Sequence, residues 1–204
     1  HVCNEEGHFE QTEDGKCKCE NEYDLVVDKC FKKIGEVELP EVPSKTEPLT
    51  PENGVLTVPE TKPEEGIYYC DLSNSATSEL TIKNDKNQDV LIMLPSSDTP
   101  IKIKPENTDT SAIIHCQQGS TLEIESNSKL DIQGENEVTI NAPEGTDDLS
   151  LNSLIPRSDE FTIKSKNNLN LNILQIFGNK KVTASAAENK NIKINEVKIE
   201  QKGI

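Results

Sequence analysis

From Leu72 to Ile199 the chain is punctuated by short apolar–polar–apolar triplets. Leu80-Thr81-Ile82, Ile101-Lys102-Ile103 and Leu122-Glu123-Ile124 repeat the same pattern about 21 residues apart. Val90–Ile92, Ala112–Ile114 and Val138–Ile140 form a second series. Later copies are Leu149–Leu151, Phe161–Ile163, Leu169–Ile173, Ile192–Ile194 and Val197–Ile199. Successive side chains of a strand point to opposite faces, so an apolar period of two predicts strands with one buried face. No stretch sustains the i, i+3, i+4, i+7 stripe of an amphipathic helix.

Between the triplets lie clusters of Asn, Asp, Ser, Gly and Pro: Lys83–Asn87, Pro95–Asp98, Pro105–Asn107, Gln117–Gly119, Glu125–Ser128 and Gly134–Asn136. These residues tolerate left-handed backbone and bond their own main chain, which suits tight corners. A repeat of roughly 21–25 residues, with two or three strands in each, predicts a β-solenoid over residues 67–204, similar to a parallel β-helix. The alternative is an antiparallel β-sandwich of many short strands. The register slips at Asn141–Phe161, which reads as an insertion carrying Asp147, Asp148 and Arg157. Insertions in a solenoid gather on one face and are its natural ligand sites.

Cys70 and Cys116 are the two cysteines of this domain and are expected to pair. Two coils separate α-carbons by ~9.6 Å, beyond the ~7 Å that a disulfide spans. Pairing therefore requires that Cys70 lie off the coil as a cap or that the solenoid be irregular.

Upstream, residues 35–66 carry Pro40, Pro43, Pro48, Pro51, Pro59 and Pro63 among Glu, Thr and Ser. Each proline fixes φ and removes a backbone donor, so the stretch is expected to be an extended linker. Val55–Val58 is the exception, a short strand expected to dock on the β-domain downstream. Residues 1–34 hold Cys3, Cys17, Cys19 and Cys30 with little apolar material, which predicts a disulfide-stapled module. Four cysteines permit three pairings, and Cys17 and Cys19 are too close to pair easily. A zinc site is possible by count, but C-x-C is not the usual knuckle spacing.

The sequence Cys17-Lys18-Cys19, followed by Tyr23, Leu25 and Cys30, resembles the second half of an EGF-like module, truncated by two cysteines. The resemblance implies Cys19–Cys30 and, by remainder, Cys3–Cys17. The calcium-binding subclass carries an acidic and amide motif before its first cysteine. Here only His1 and Val2 precede Cys3, so no metal is expected.

Hydrophobic residues make up 32% of the 204 and aromatics 3%, with no Trp. The core must therefore be Ile, Leu and Val, types that favour pleated strands. Net charge is −16, most of it in residues 1–66. An acidic surface repels phosphate, so nucleic acid is excluded as a partner. No apolar run is long enough for a transmembrane helix. The chain starts at His1, not Met, which implies processing or excision, and an anchor beyond Ile204 is compatible with the sequence.

Catalytic signals are sparse. His1 and His8 lie by the cysteine module, and His115 adjoins Cys116 on a strand, where neighbours point to opposite faces. No nucleophile elbow, zinc-protease helix or phosphate loop is present. Parallel β-helix folds resemble many polysaccharide lyases and pectin hydrolases, which implies clustered acids. Glu123, Glu125, Asp131, Glu135 and Glu137 are the candidates, though charges on the outer side of strands are ordinarily just solvated. Asp147, Asp148, Asn152 and Arg157 are the candidate ligand-binding residues, without a regular calcium loop. No cofactor is expected, and no N-x-[ST] glycosylation acceptor is present.

The resulting expectation is a non-enzymatic, extracellular cell-surface protein, or a fragment of one. It would act in adhesion, recognition or a surface assembly, with another protein subunit or a cell-surface glycoconjugate as partner. A polysaccharide-active enzyme and a structural coat or stalk are the alternatives. The strand pair Ile192–Ile199 lacks an obvious cap, and a partner is expected there.

Overall fold

The computed structural model describes residues 9–13, 16–19, 23–26, 29–32, 46–73, 77–97, 100–177 and 180–200. The chain divides into two compact units, His1–Leu39 and Pro40–Ile204.

In the first unit, β1 (Phe9–Gln11) pairs antiparallel with β2 (Cys17–Cys19), and β3 (Tyr23–Val26) pairs antiparallel with β4 (Lys29–Lys32). The turn after β1 closes through Thr12, whose Oγ donates to the Lys16 carbonyl at 2.9 Å. Cys17 is exposed and disulfide-bonded. Cys3 and the side chains of Cys19 and Cys30 lie outside the described residues, and with them the pairing that the EGF-like resemblance implies.

The second unit is a parallel β-solenoid. Its first sheet contains β6 (Tyr68–Asp71), β8 (Val90–Leu94), β10 (Ala112–Cys116), β12 (Asn127–Gly134), β14 (Asp148–Pro156), β16 (Asn168–Phe177) and β18 (Ile192–Glu200), stacked in that order. The second contains β5 (Val55–Thr57), β7 (Glu79–Lys83), β9 (Ile101–Pro105), β11 (Ser120–Ile124), β13 (Glu137–Asn141), β15 (Glu160–Ser165) and β17 (Lys181–Ala186). Every ladder in both sheets is parallel, which excludes the antiparallel sandwich. Partners such as Ser120 and Val138, or Val55 and Thr81, set coils of roughly 18 to 26 residues.

Like residues stack in rows along the inside. Cys70, Ile92, Ile114, Ile132, Leu154, Leu174 and Val197 form one such row. The first six are at most 3% exposed. A coil buries its inner face only against its neighbours, so Ile, Leu and Val at matching positions are what the fold demands. A second row passes Leu94, Cys116, Gly134 and Pro156. Gly134 stands there because a Cβ would lie 2.4 Å from a methyl of Val138 and 3.2 Å from the Phe161 ring. The aromatic occupies the space a larger side chain would need.

The rows also correct the expected Cys70–Cys116 bridge. Both cysteines are buried and free. Cys70 is stacked below Ile92 and Ile114, whereas Cys116 lies two residues further along β10. Two coils and two residues of rise put the α-carbons ~11 Å apart, too far to bond. Cys70 is on the coil and is not a cap beside it.

Residues 46–66, expected as linker, are largely built into this unit. Leu56 and Val58 are buried in the first coil, and Leu49 packs on the core. Leu49 donates its amide to the Tyr69 carbonyl at 2.7 Å, and the Tyr68 hydroxyl donates to the Thr61 carbonyl at 2.6 Å. The expected turns at Asn87, Gly119 and Asn136 have positive φ. The expected turn at Glu125–Ser128 shortens to Glu125 and Ser126 between β11 and β12, and the buried Asn127, already in β12, donates to the carbonyls of Asn107 and Thr110. Asn141–Phe161 is not an insertion, because β14 pairs on both sides with β12 and β16. The slip arises because the later strands lengthen: β14, β16 and β18 have 9, 10 and 9 residues, against 5 in β8 and β10.

Candidate functional site

The lengthening creates a corner. Leu151 and Leu154 both point into the core, three residues apart, which strict alternation does not allow. The strand bends between them, and the same happens between Leu171 and Leu174. The ladder pairs Leu151 with Leu171 and Ser153 with Ile173, passing over Asn152 and Asn172. Side-chain amides take over where the backbone ladder lapses.

Asn152 donates Nδ2 to Asp131 Oδ1 at 3.0 Å, Asn172 donates to Asn152 Oδ1 at 3.3 Å, and Asn195 donates to Asn172 Oδ1 at 3.2 Å. The result is a polarised amide ladder rooted on a carboxylate. Ser153 Oγ also donates to Asp131, at 2.5 Å. Burial pushes the Asp131 carboxyl up, and the Ser153 and Asn152 donors oppose that shift.

Beside the ladder runs a groove of about 470 Å3. Asn127, Asn152, Asn170, Asn172 and Asn195 line it, with Thr108, Ser126, Ser150 and the edges of Leu151 and Leu171. Its lining carries neither a charged nor an aromatic side chain. The surface exposed in the groove is mainly apolar, with amides and hydroxyls along it that are partly engaged in the ladder, and no group there titrates near neutral pH.

The four expected ligand residues do not converge. Asn152 belongs to the ladder. Asp148 opens β14 and accepts from Asn168 Nδ2 at 2.9 Å, and Asp147 lies 3.2 Å from Lys190 Nζ. Arg157 follows the other end of β14 and donates to Gln133 Oε1 from Nε at 3.2 Å and from the terminal nitrogen at 3.1 Å. The five candidate acids are also dispersed. Glu123 and Glu137 are on the second sheet, Asp131 is on the first, and Glu137 pairs with Lys164 at 2.9 Å. Among the described residues no three His, Cys, Asp or Glu side chains cluster as metal ligands.

A second hollow, of about 520 Å3, is lined by Met93, His115, Gln117, Glu135 and neighbours. His115 is 2% exposed and its Nδ1 has no hydrogen-bond partner, while Nε2 lies 3.7 Å from Glu135 Oε1. Burial lowers its pKa, against the opposing pull of Glu135. Burial also pushes the Cys116 thiol up, and Cys70 up to about 11, so neither is a ready thiolate.

No protein-family model matches the chain, and neither the curated proteins nor the solved structures return a match. Among the described residues no helix is long and apolar enough to cross a membrane. Of the corner asparagines, sequence reasoning singles out Asn152 and misses Asn170, Asn172 and Asn195. Their signal is the spacing of Asn152, Asn172 and Asn195 by about one coil each.

Proposed function

We propose that this chain is a non-catalytic recognition protein of an extracellular cell surface, binding a neutral, hydroxyl-rich glycoconjugate along the asparagine groove. The observation that carries this reading is the groove's lining of five amides and three hydroxyls, without charge, on strands fixed by the ladder. Hydroxyl groups both donate and accept, as amides do, so a saccharide matches the lining without burying an unpaired charge. In this reading the small first unit is an EGF-like module, with Cys3, Cys17, Cys19 and Cys30 in two disulfides. An extracellular, oxidising setting is the one in which such bridges persist.

An array of neutral and charged glycans, probed with the purified chain, tests the assignment. Retention of neutral glycans is expected, weakened about tenfold or more by Asn170→Ala, which removes a lining amide outside the ladder. Uniform silence across the array, or binding unaltered by Asn170→Ala and Ser150→Ala, would defeat it. Peptide mapping without reduction tests the disulfides separately.

A further inference from the structure

The groove has a floor and two rails. β14 and β16 are parallel neighbours in register, with Ser150 beside Asn170 and Leu151 beside Leu171. The edges of the two leucines contribute an apolar strip, and the surface exposed in the groove is mainly apolar. Ser150 and Asn170 stand along one side of the strip, Asn152 and Asn172 along the other. Alternate residues of a strand share a face two rises apart, so the rails are separated by ~6.6 Å, about the breadth of one sugar ring. Along each rail the polar groups repeat at the strand spacing of ~4.8 Å.

Both rails keep hydrogen-bonding capacity. The Ser150 hydroxyl and the Asn170 side-chain amide have no hydrogen-bond partner among the described residues. On the other rail, each amide carries two N–H donors and two carbonyl lone pairs. Asn152 uses one donor on Asp131 and one lone pair on Asn172. Asn172 uses one donor on Asn152 and one lone pair on Asn195. Each keeps one donor and one lone pair for a ligand.

On the saccharide reading above, we infer that the ligand is a linear chain of 1,4-β-linked, all-equatorial, uncharged pyranose rings, lying along the solenoid axis with one ring per coil. An all-equatorial ring has only C–H on its two faces and its hydroxyls at the rim. Laid on the leucine strip it buries C–H, and its rim meets both rails. An axial hydroxyl would be pressed onto the strip without a partner. The 1,4-β linkage keeps the chain straight and advances it by about one ring per ~4.8 Å strand spacing. A 1,4-α linkage curls the chain off the axis. Successive rings of the straight ribbon are turned over, so its two rims alternate. Groups that both donate and accept stand on each rail and suit either rim.

Titration calorimetry of the full chain with soluble 1,4-β-linked oligomers of glucose and of N-acetylglucosamine, from dimer to hexamer, tests this. At least one series should bind, with affinity rising about tenfold or more from dimer to tetramer as further rings reach the rails. The 1,4-α-linked glucose tetramer, and the 1,4-β-linked mannose tetramer with its axial hydroxyl, should each bind at least about tenfold more weakly. Ser150→Ala combined with Asn170→Ala, with folding checked by circular dichroism, should remove most of the gain with length. Equal binding of α- and β-linked chains, a preference for mannose, or affinity independent of length would overturn the inference and leave a neutral-glycan site standing. Silence with every neutral oligomer would overturn both.

Discussion

The two ends of the solenoid carry the same kind of inner residues and treat them differently. At the start, Leu56 is 1% exposed and Val58 4%, and Leu49 packs on the core beside them. At the other end Val197 and Ile199 are left half or more exposed. The difference lies in what is laid across the end, not in composition. A coil's apolar face is worth ~25 cal/mol per Å2 only when something covers it. At the first coil Leu49 supplies such cover, packed on the core and held by its amide on the Tyr69 carbonyl.

The largest expected effect breaks the row at two points. Leu154→Ala, in the fully enclosed middle, should cost about 3–4 kcal/mol in urea unfolding, by lost transfer energy and a residual cavity. Val197→Ala, on the same row, should cost about 0.5 kcal/mol or less. Equal costs would mean that the last coil is covered in solution, and the contrast between the ends would fall.

The amide ladder gives the same contrast in a polar form. Asn172→Leu breaks two hydrogen bonds and leaves Asn152 Oδ1 without its donor, an expected loss of about 1–2 kcal/mol. Asn195→Leu breaks one bond at an exposed rung and should cost about 0.5 kcal/mol. Thermal unfolding of the two variants decides it. A larger loss at Asn195 would show that the top rung has a partner.

Much of this fold is legible because burial leaves a period of two. Leu80-Thr81-Ile82 and its copies announce strands, and their regular return announces coils. Sequence reasoning fails where covalent or side-chain geometry intervenes. Cys70 and Cys116 are close to two coils apart, but two residues of register separate them, and no count of residues shows where a row falls. In the sequence Asn152 reads as a ligand residue beside Asp147; it is a rung of the ladder that also lines the groove, apart from Asp147. The groove is legible only as the spacing of Asn152, Asn172 and Asn195 by about one coil each, since its asparagines come together only once the corner at Leu151–Leu154 sets their register. Asn84 and Asn167 make the same point: both are polar, both are buried, and each bonds the backbone of a neighbouring coil, Asn84 donating to the Ser111 carbonyl and Asn167 accepting from the Ala142 amide.

Acid should invert the order of failure, with the smallest effect and the most specific signature. Denaturant is expected to fray the exposed last coil first, but His115 and Asp131 titrate in the middle. Burial holds the folded pKa of His115 below its ordinary 6.5, so between the two values the unfolded chain binds more protons than the folded one. Its contribution is intact above pH 6.5 and is lost as pH falls below that. Glu135 opposes the loss, whereas Arg157 adds to it. Asp131 runs the other way. Its folded pKa lies above the ordinary 3.8, so the folded chain binds the extra proton and this site gains stability as pH falls toward 3.8. Hydrogen exchange should therefore show protection in β10 and β12 falling as pH drops below 6.5. His115→Gln should flatten that fall, and Asp131→Asn should steepen the decline at lower pH. If β18 alone loses protection on acidification, and His115→Gln changes nothing, the middle is not where acid acts, and the imidazole of His115 is not held neutral by its burial.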